Sequence, residues 1–263
     1  MCRFLAYLGP PVTLEALLVE PPHSLLRQSW APRLQSHGTV NADGFGVGWY
    51  DQERRPQPAR YRTTRPMWAD RSFASLAGLV AAPAVLAAVR SATPPLAVEE
   101  SGTPPFTAGP WLFAHNGAVE GFCGPTGARL RRMVSDRRTS AIEGGSDSEV
   151  LFALALDRLD EGASMGAALA SVVATVLGVS SARLNLVLTD GRSIAATACG
   201  DTLFWRHPGA GGGGPAGGPP GGLVVASEPS DDGPGWQPVP PGSLVEAAPG
   251  RVAVTALAAS APS

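Results

Sequence analysis

The sequence predicts a layered α/β or α+β domain. Apolar patterns along the chain are strand-like first, then helical over two stretches, then strand-like again, an order that folds resolve by stacking sheets and helices. Gly, Pro and Asp-Gly punctuation separates those patterns. At 263 residues and 44% hydrophobic composition the chain is long for one domain, yet able to bury most of its apolar surface. One domain over residues 2–263 is therefore expected.

Cys2–Leu8 alternates apolar and other residues at period two, as a strand does, and Gly9-Pro10-Pro11 is expected to stop it. Thr13 can cap a short helix with Leu14, Leu17 and Leu18 on one face. Pro21–Gly38 lacks periodicity and reads as a structured loop bearing His23, Trp30 and His37. Next, Asp43-Gly44 leads into a strand ending at Tyr50, with glycines at 44, 46 and 48. Such a face admits a backbone or a ligand closely, and equally fits an ordinary Gly-rich hairpin. Tyr61–Thr64 can pair back as the following strand. Asp70–Val80 sets Phe73, Leu76, Ala77 and Val80 at helical spacing. Val85–Val89 reads as a buried strand ending in Arg90-Ser91-Ala92-Thr93, and a Pro-rich loop runs from Pro94 to Pro110.

Trp111–Ala114 is a short apolar strand running into His115-Asn116-Gly117, and Arg129–Ala141 is basic and loop-like. Ser146-Asp147-Ser148-Glu149 fits a capping box and opens a helix to about Leu159. A second helix, Ser164–Leu177, carries Leu169, Val172, Val173 and Val176 on one face. Strands follow at Leu184–Leu188, Ser193–Cys199 and Leu203–Arg206, with Asp190-Gly191 as a hairpin signal. Pro208–Gly222 is a Gly/Pro run that cannot bury a core. It is expected to be a flexible internal loop, because strand-like Leu223–Ser227 resumes after it. The tail to Val254 reads as short strands, and Thr255–Ser263 as a frayed end.

Composition excludes several classes of function. A net charge of −2 gives no electrostatic reason to expect nucleic acid or an anionic membrane as partner. All 20 basic residues are Arg, so Schiff-base, P-loop and Ser–Lys chemistries are absent. Cys2, Cys123 and Cys199 lie far apart with no C-x-x-C pattern, against a zinc site or a disulfide framework. No metal or cofactor is expected. No basic segment leads into a long apolar run at the N-terminus, and Leu76–Val89, broken by Pro83, is too short for a bilayer. A cytoplasmic protein is expected, and a homo-oligomer is compatible with the sequence.

The residue with the most chemistry is Cys2. Removal of Met1 would leave a thiol and an α-amine on one residue, with unperturbed pKa values of about 8.5 and roughly 7.7–8.0. The thiolate attacks, and the amine beside it can take its proton, so nucleophile and base come from one residue. A Cys opening an apolar stretch also fits an inward-facing strand residue. Arg90 offers a planar fork for a carboxylate, or a structural ion pair. Asn116-Gly117 offers a side-chain amide and a backbone N–H close together, as an oxyanion hole requires, or simply a turn. Asp147 offers a carboxylate for an ammonium, in a helix turn that favours acidic residues regardless.

In order along the chain, Met1-Cys2, Asp43-Gly44-Phe45-Gly46, Arg90-Ser91-Ala92-Thr93, His115-Asn116-Gly117 and Ser146-Asp147-Ser148-Glu149 resemble the class II glutamine amidotransferases. The resemblance covers residues 2 to about 160 through motifs, and more loosely reaches Ser227-Glu228-Pro229. It implies an α+β fold, the four-layer αββα sandwich of N-terminal-nucleophile hydrolases. It also implies that Cys2 is the nucleophile with its own amine as base, and that Asn116 and Gly117 form the oxyanion hole. Arg90 with Thr93 would bind the γ-glutamyl α-carboxylate and Asp147 the α-amine, with His115 counted among the substrate-binding residues. The family often has an aromatic after the Arg and a His after the Thr; here Ser91 and Pro94 stand there.

Within the class, Cys2-Arg3, His37-Gly38 and Asn41-Ala42-Asp43-Gly44 are most similar to the amidohydrolases of ergothioneine biosynthesis. Members of that group remove the γ-glutamyl group from γ-glutamyl-hercynylcysteine sulfoxide, releasing glutamate and hercynylcysteine sulfoxide. The partner implied is this small-molecule γ-glutamyl substrate. Trp30, Phe45, Trp49 and Trp68 are candidate faces for its trimethylammonium group. Two alternatives are a glutaminase subunit delivering ammonia to a separate synthase and a catalytically silent γ-glutamyl-binding paralogue.

Overall fold

A computed structural model describes residues 2–93, 96–207 and 221–257. The expectations for Met1, Pro94, most of the Gly/Pro run and the last tail residues lie outside that range. In chain order the elements are β1 (Arg3–Thr13), α1 (Leu14–Leu18), α2 (Leu25–Gln28), β2 (Phe45–Trp49), β3 (Ala59–Thr63), α3 (Arg71–Ala77) and β4 (Ala81–Val89). Then come β5 (Phe106–Ala108), β6 (Trp111–Val119), α4 (Pro125–Arg131), α5 (Asp136–Thr139), α6 (Asp147–Asp160) and α7 (Met165–Leu177). The chain closes with β7 (Ala182–Thr189), β8 (Ile194–Ala198), β9 (Phe204–Arg206), β10 (Leu223–Ala226), β11 (Gln237–Pro238), β12 (Ser243–Ala248) and β13 (Arg251–Ala256).

The strands form two antiparallel sheets, a seven-stranded one in the order β11-β9-β10-β1-β4-β2-β3 and a six-stranded one in the order β13-β12-β8-β7-β6-β5. Strand alternation sorts their side chains. On β1, Phe4, Ala6 and Leu8 face the second sheet while Leu5 and Tyr7 face α1, α2 and α3. On β6, Leu112 and Ala114 face the first sheet while Phe113 packs toward α6 and α7. The result is a four-layer α+β sandwich in the order αββα, with apolar cores between the sheets and under each helical layer.

Helix starts follow the sequence signals. Thr13 Oγ1 accepts from Ala16 N at 3.2 Å, and Ser146 and Glu149 close the capping box of α6. Elsewhere tertiary packing overrides local punctuation. β1 runs through Gly9-Pro10-Pro11 to Thr13, and its pairing with β4 shifts register between Leu8 and Val12, so the prolines fall where no ladder N–H is required. The unpatterned stretch before Gly38 contains α2, capped by Ser24, and the basic stretch contains parts of α4 and α5. Asn116 and Gly117 are not a turn; β6 continues through them to Val119. The glycine face of β2 serves the protein's own packing. A Cβ at Gly46 would lie 2.3 Å from the Pro104 carbonyl, and one at Gly48 would lie 2.5 Å from Leu112 Cδ1. No helix among the described residues is long and apolar enough to cross a membrane.

Candidate active site

Alternation along three strands decides which side chains meet between the sheets. Cys2 continues the inward face of Phe4 and Ala6, Arg90 that of Leu86 and Ala88, and Asn116 that of Leu112 and Ala114. Arg3 is paired with Val89, so Cys2 comes opposite Arg90 as the β1–β4 ladder ends. Strand β6 crosses β1 and β4 on the facing sheet.

Arg90 is held by its backbone: its N–H donates to the Gly44 carbonyl at 2.8 Å and its carbonyl accepts from Asp43 N at 2.9 Å. Asp43 Oδ2 in turn accepts from Ala92 N at 2.8 Å, fixing the turn out of β4. The guanidinium is buried; its Nη2 donates to the Ala97 carbonyl at 3.3 Å, and among the described residues its buried Nη1 has no hydrogen-bond partner. Asn116 is 0% exposed, and among the described residues neither its Oδ1 nor its Nδ2 has a hydrogen-bond partner. Burying an amide unpaired costs on the order of 1–3 kcal/mol, a cost that a polar ligand between the sheets would remove. At Gly117 a Cβ would sit 1.9 Å from the Arg183 carbonyl, so only glycine allows β7 to approach there.

The other expected site residues come from the opposite face of β6, the first turn of α6 and the loop after β4. His115 points to the helical side of β6, where Nε2–H donates to the Arg183 carbonyl at 2.9 Å and Nδ1 lies 3.1 Å from Ser148 Oγ. Asp147, in the first turn of α6, accepts from Val119 N at 3.0 Å through Oδ2 and from Ser148 N at 2.8 Å through Oδ1. Thr93 is exposed on the loop after β4, its carbonyl accepting from Leu96 N at 3.0 Å. Of the four aromatics, Phe45 is buried against Phe73 and Tyr61 under the helices. Trp30 and Trp68 form an exposed edge-to-face pair at 5.9 Å, with Arg27 over Trp30 at 5.4 Å.

A second group of polar residues surrounds the start of β1. Asn185 lies opposite Asn116 in the β6–β7 ladder. Its Oδ1 accepts from Cys199 N at 2.9 Å and Asp201 N at 3.2 Å, while its Nδ2 donates to the carbonyls of Asp201 and Thr202. Thr202 Oγ1 donates to the Ser227 carbonyl at 2.8 Å, and Ser227 Oγ accepts from Phe4 N at 3.1 Å. Arg3, fully buried, donates through Nε to Glu228 Oε1 at 2.8 Å, and its Nη1 and Nη2 have no partner. Burial pulls the Arg3 guanidinium below its ordinary range against the opposing pull of Glu228 and Asp201. Burial pushes the Asp201 carboxyl up, opposed by Arg183 and Arg3. Sequence reasoning named Arg3 and Ser227-Glu228 only as parts of the resemblance and missed Asn185, Asp201 and Thr202. Their one visible signal is a lone Asn at 185 inside an apolar strand.

Two sheets packed face to face between helical layers form an αββα sandwich in which Cys2 and Arg90 are neighbours where the β1–β4 ladder ends and the buried Asn116 amide lies on the facing sheet. The model of the class II glutamine amidotransferases matches residues 20–208, and the chain belongs to that family. It is 41% identical, over 98% of its own length and 100% of the relative's, to a γ-glutamyl-hercynylcysteine sulfoxide hydrolase of Mycolicibacterium smegmatis. A glutamine aminotransferase class-II domain protein from Silicibacter pomeroyi superposes with a TM-score of 0.67 at 25% identity, over 98% of this chain and 100% of that one. The glutamine phosphoribosylpyrophosphate amidotransferase of B. subtilis shares the fold, with a TM-score of 0.66 at 14% identity, over 98% of this chain and 50% of that one.

Proposed function

We propose that this chain is a hydrolase that cleaves the γ-glutamyl amide bond of γ-glutamyl-hercynylcysteine sulfoxide, releasing glutamate and hercynylcysteine sulfoxide in ergothioneine biosynthesis. The similarity to the hydrolase of that name over nearly the whole of both chains supports the substrate. One observation supports the chemistry: the Asn116 amide is fully buried with neither atom hydrogen-bonded among the described residues, and strand alternation turns it toward the sheet that carries Cys2 and Arg90. Residues 2–263 act as one domain in this reading.

Cys2, freed of Met1, attacks the γ-carbonyl as its thiolate, forming a C–S bond. Asn116 Nδ2 and the Gly117 N–H stabilise the oxyanion. The Cys2 ammonium then protonates the departing nitrogen as the C–N bond breaks, leaving a γ-glutamyl thioester. Water attacks the thioester, giving its proton to the same amine, and glutamate leaves with the thiol restored. Arg90 holds the α-carboxylate of the glutamyl group through its free Nη1. Asp147 receives the α-ammonium on lone pairs left by its two backbone donors, and Thr93 closes over the carboxylate. His115 acts by fixing β6, β7 and α6 around Asn116.

The test is to supply γ-glutamyl-hercynylcysteine sulfoxide and glutamine side by side and measure glutamate release. kcat/KM at least tenfold higher for the sulfoxide is expected. Equal or faster hydrolysis of glutamine would overturn the substrate, and hydrolysis of either by Cys2→Ala would overturn the thioester.

A further inference from the structure

The mechanism above leaves Asp201, an ionisable group beside the start of β1, without a task. Asp201 is tied by both its N–H and its carbonyl to the Asn185 amide, directly across the β6–β7 ladder from Asn116. Through Thr202 and Ser227 the same turn is joined to the backbone of Phe4, two residues from Cys2. Its carboxylate side chain is 2% exposed, and among the described residues Oδ2 has no hydrogen-bond partner; Arg183 Nε forms an ion pair with it at 3.6 Å, too long for a hydrogen bond. Arg3, the residue after Cys2, lies within its electrostatic reach. A dry carboxylate near the first residues of a strand, with one oxygen free of hydrogen bonds and only a loose ion pair to Arg183, can take a further cation there. The free amine that appears when Met1 is removed is such a cation.

We propose that Asp201 is a positioning residue that receives the α-ammonium of mature Cys2 on Oδ2 and so aims the amine at the thiol and the leaving group. The inference rests on the thioester reading above. Arg183, Arg3 and His37 also act on Asp201, and Glu228 occupies Arg3 from the opposite side. The cations favour the free amine and the two carboxylates favour the ammonium. Removing Asp201's charge therefore lowers the pH at which the amine becomes a base, and removing Arg183's charge raises it.

The experiment compares wild type, Asp201→Asn, Asp201→Glu and Arg183→Gln. It reads the acid limb of kcat/KM and the pH dependence of Cys2 alkylation by iodoacetamide, quantified on the N-terminal peptide by mass spectrometry. In Asp201→Asn both limbs should move down by about one pH unit, with kcat reduced tenfold or more and KM changed less than twofold. Asp201→Glu should recover at least half of the shift. Arg183→Gln, altering a partly exposed side chain, should move both limbs up, and it carries the test if Asp201→Asn does not fold. Unmoved limbs in a folded Asp201→Asn, a Glu variant as shifted as the Asn variant, or a downward shift in Arg183→Gln would each overturn the proposal. Hydrolysis that survives complete alkylation of Cys2 would instead overturn the thioester reading, with the alkylation profile still reporting on Asp201.

Discussion

A few side chains at this site are held ready at a cost to the fold, and their substitutions should separate chemistry from stability. Asn116 satisfies neither of its amide groups within the protein. Asn116→Ala should lower kcat by on the order of 10²–10³, the usual loss for one oxyanion donor. It should not lower Tm correspondingly, because removing an unpaired buried amide relieves a cost rather than breaking a bond. Steady-state kinetics beside thermal melts check both halves, and a collapse of Tm with kcat intact would count against the assignment. Arg90 makes a different prediction, since its backbone is pinned from both sides while its Nη1 is free. Arg90→Lys keeps the charge and loses the planar fork, so KM for the γ-glutamyl substrate should rise at least tenfold with kcat much less affected. Measured KM and kcat for the variant decide it.

At the level of elements, local signals and tertiary forces divide the fold between them. α3 shows the local kind: Asp70 caps it by accepting from Phe73 N at 2.9 Å, and also accepts from the Tyr61 hydroxyl at 2.5 Å. Asp70→Ala should cost about 1–2 kcal/mol and lower Tm by a few degrees. Burial alone would raise the Asp70 carboxyl, but the Tyr61 hydroxyl and the Phe73 and Ser72 N–H groups outweigh it and hold the group below its ordinary value. A carboxyl depressed by folding stabilises above its unfolded pKa, so the Tm gap between wild type and Asp70→Ala should be full near neutrality. It should close as pH falls below about 4, which melts across a pH series would register. Caps made α1 and α6 legible in the sequence, while α3 and α7 were legible from their apolar spacing. β1 was only half legible, because passage through Gly9-Pro10-Pro11 depends on where β4 shifts register, which no local pattern records. Asn116-Gly117 misled in the same way. The dipeptide has turn chemistry, but the close approach of the Arg183 carbonyl keeps it inside a strand. Of the residues assigned to the proposed site, Cys2, Arg90 and Asn116 stood out in the sequence because each begins, ends or interrupts an apolar run. Asp201 did not, since its neighbours come from strands far away in sequence.

Across the whole molecule, the geometry between Cys2 and Asn116 follows the separation of two sheets, which side-chain volume in the layer between them sets. The layer between them holds Ala6, Ala84, Ala88, Ala114, Ala196 and Ala198 beside Phe4 and Leu112. Close-packed interiors transmit added volume as displacement, not as local compression. Ala114 lies two positions before Asn116 on the same face of β6 and is 1% exposed. Ala114→Leu would therefore force β6 away from the facing sheet, where Cys2 and Arg90 are anchored. Overpacking of this size costs about 1–3 kcal/mol, a few degrees of Tm that a chain of this length should survive folded. Catalysis should suffer far more, because a misplacement of about 1 Å between nucleophile and oxyanion donors can cost on the order of 10²-fold. A folded Ala114→Leu protein with kcat reduced at least tenfold, and Cys2 still alkylated at the wild-type rate, is the expected outcome. Native kcat in that variant would mean that the two halves of the site do not move with their sheets.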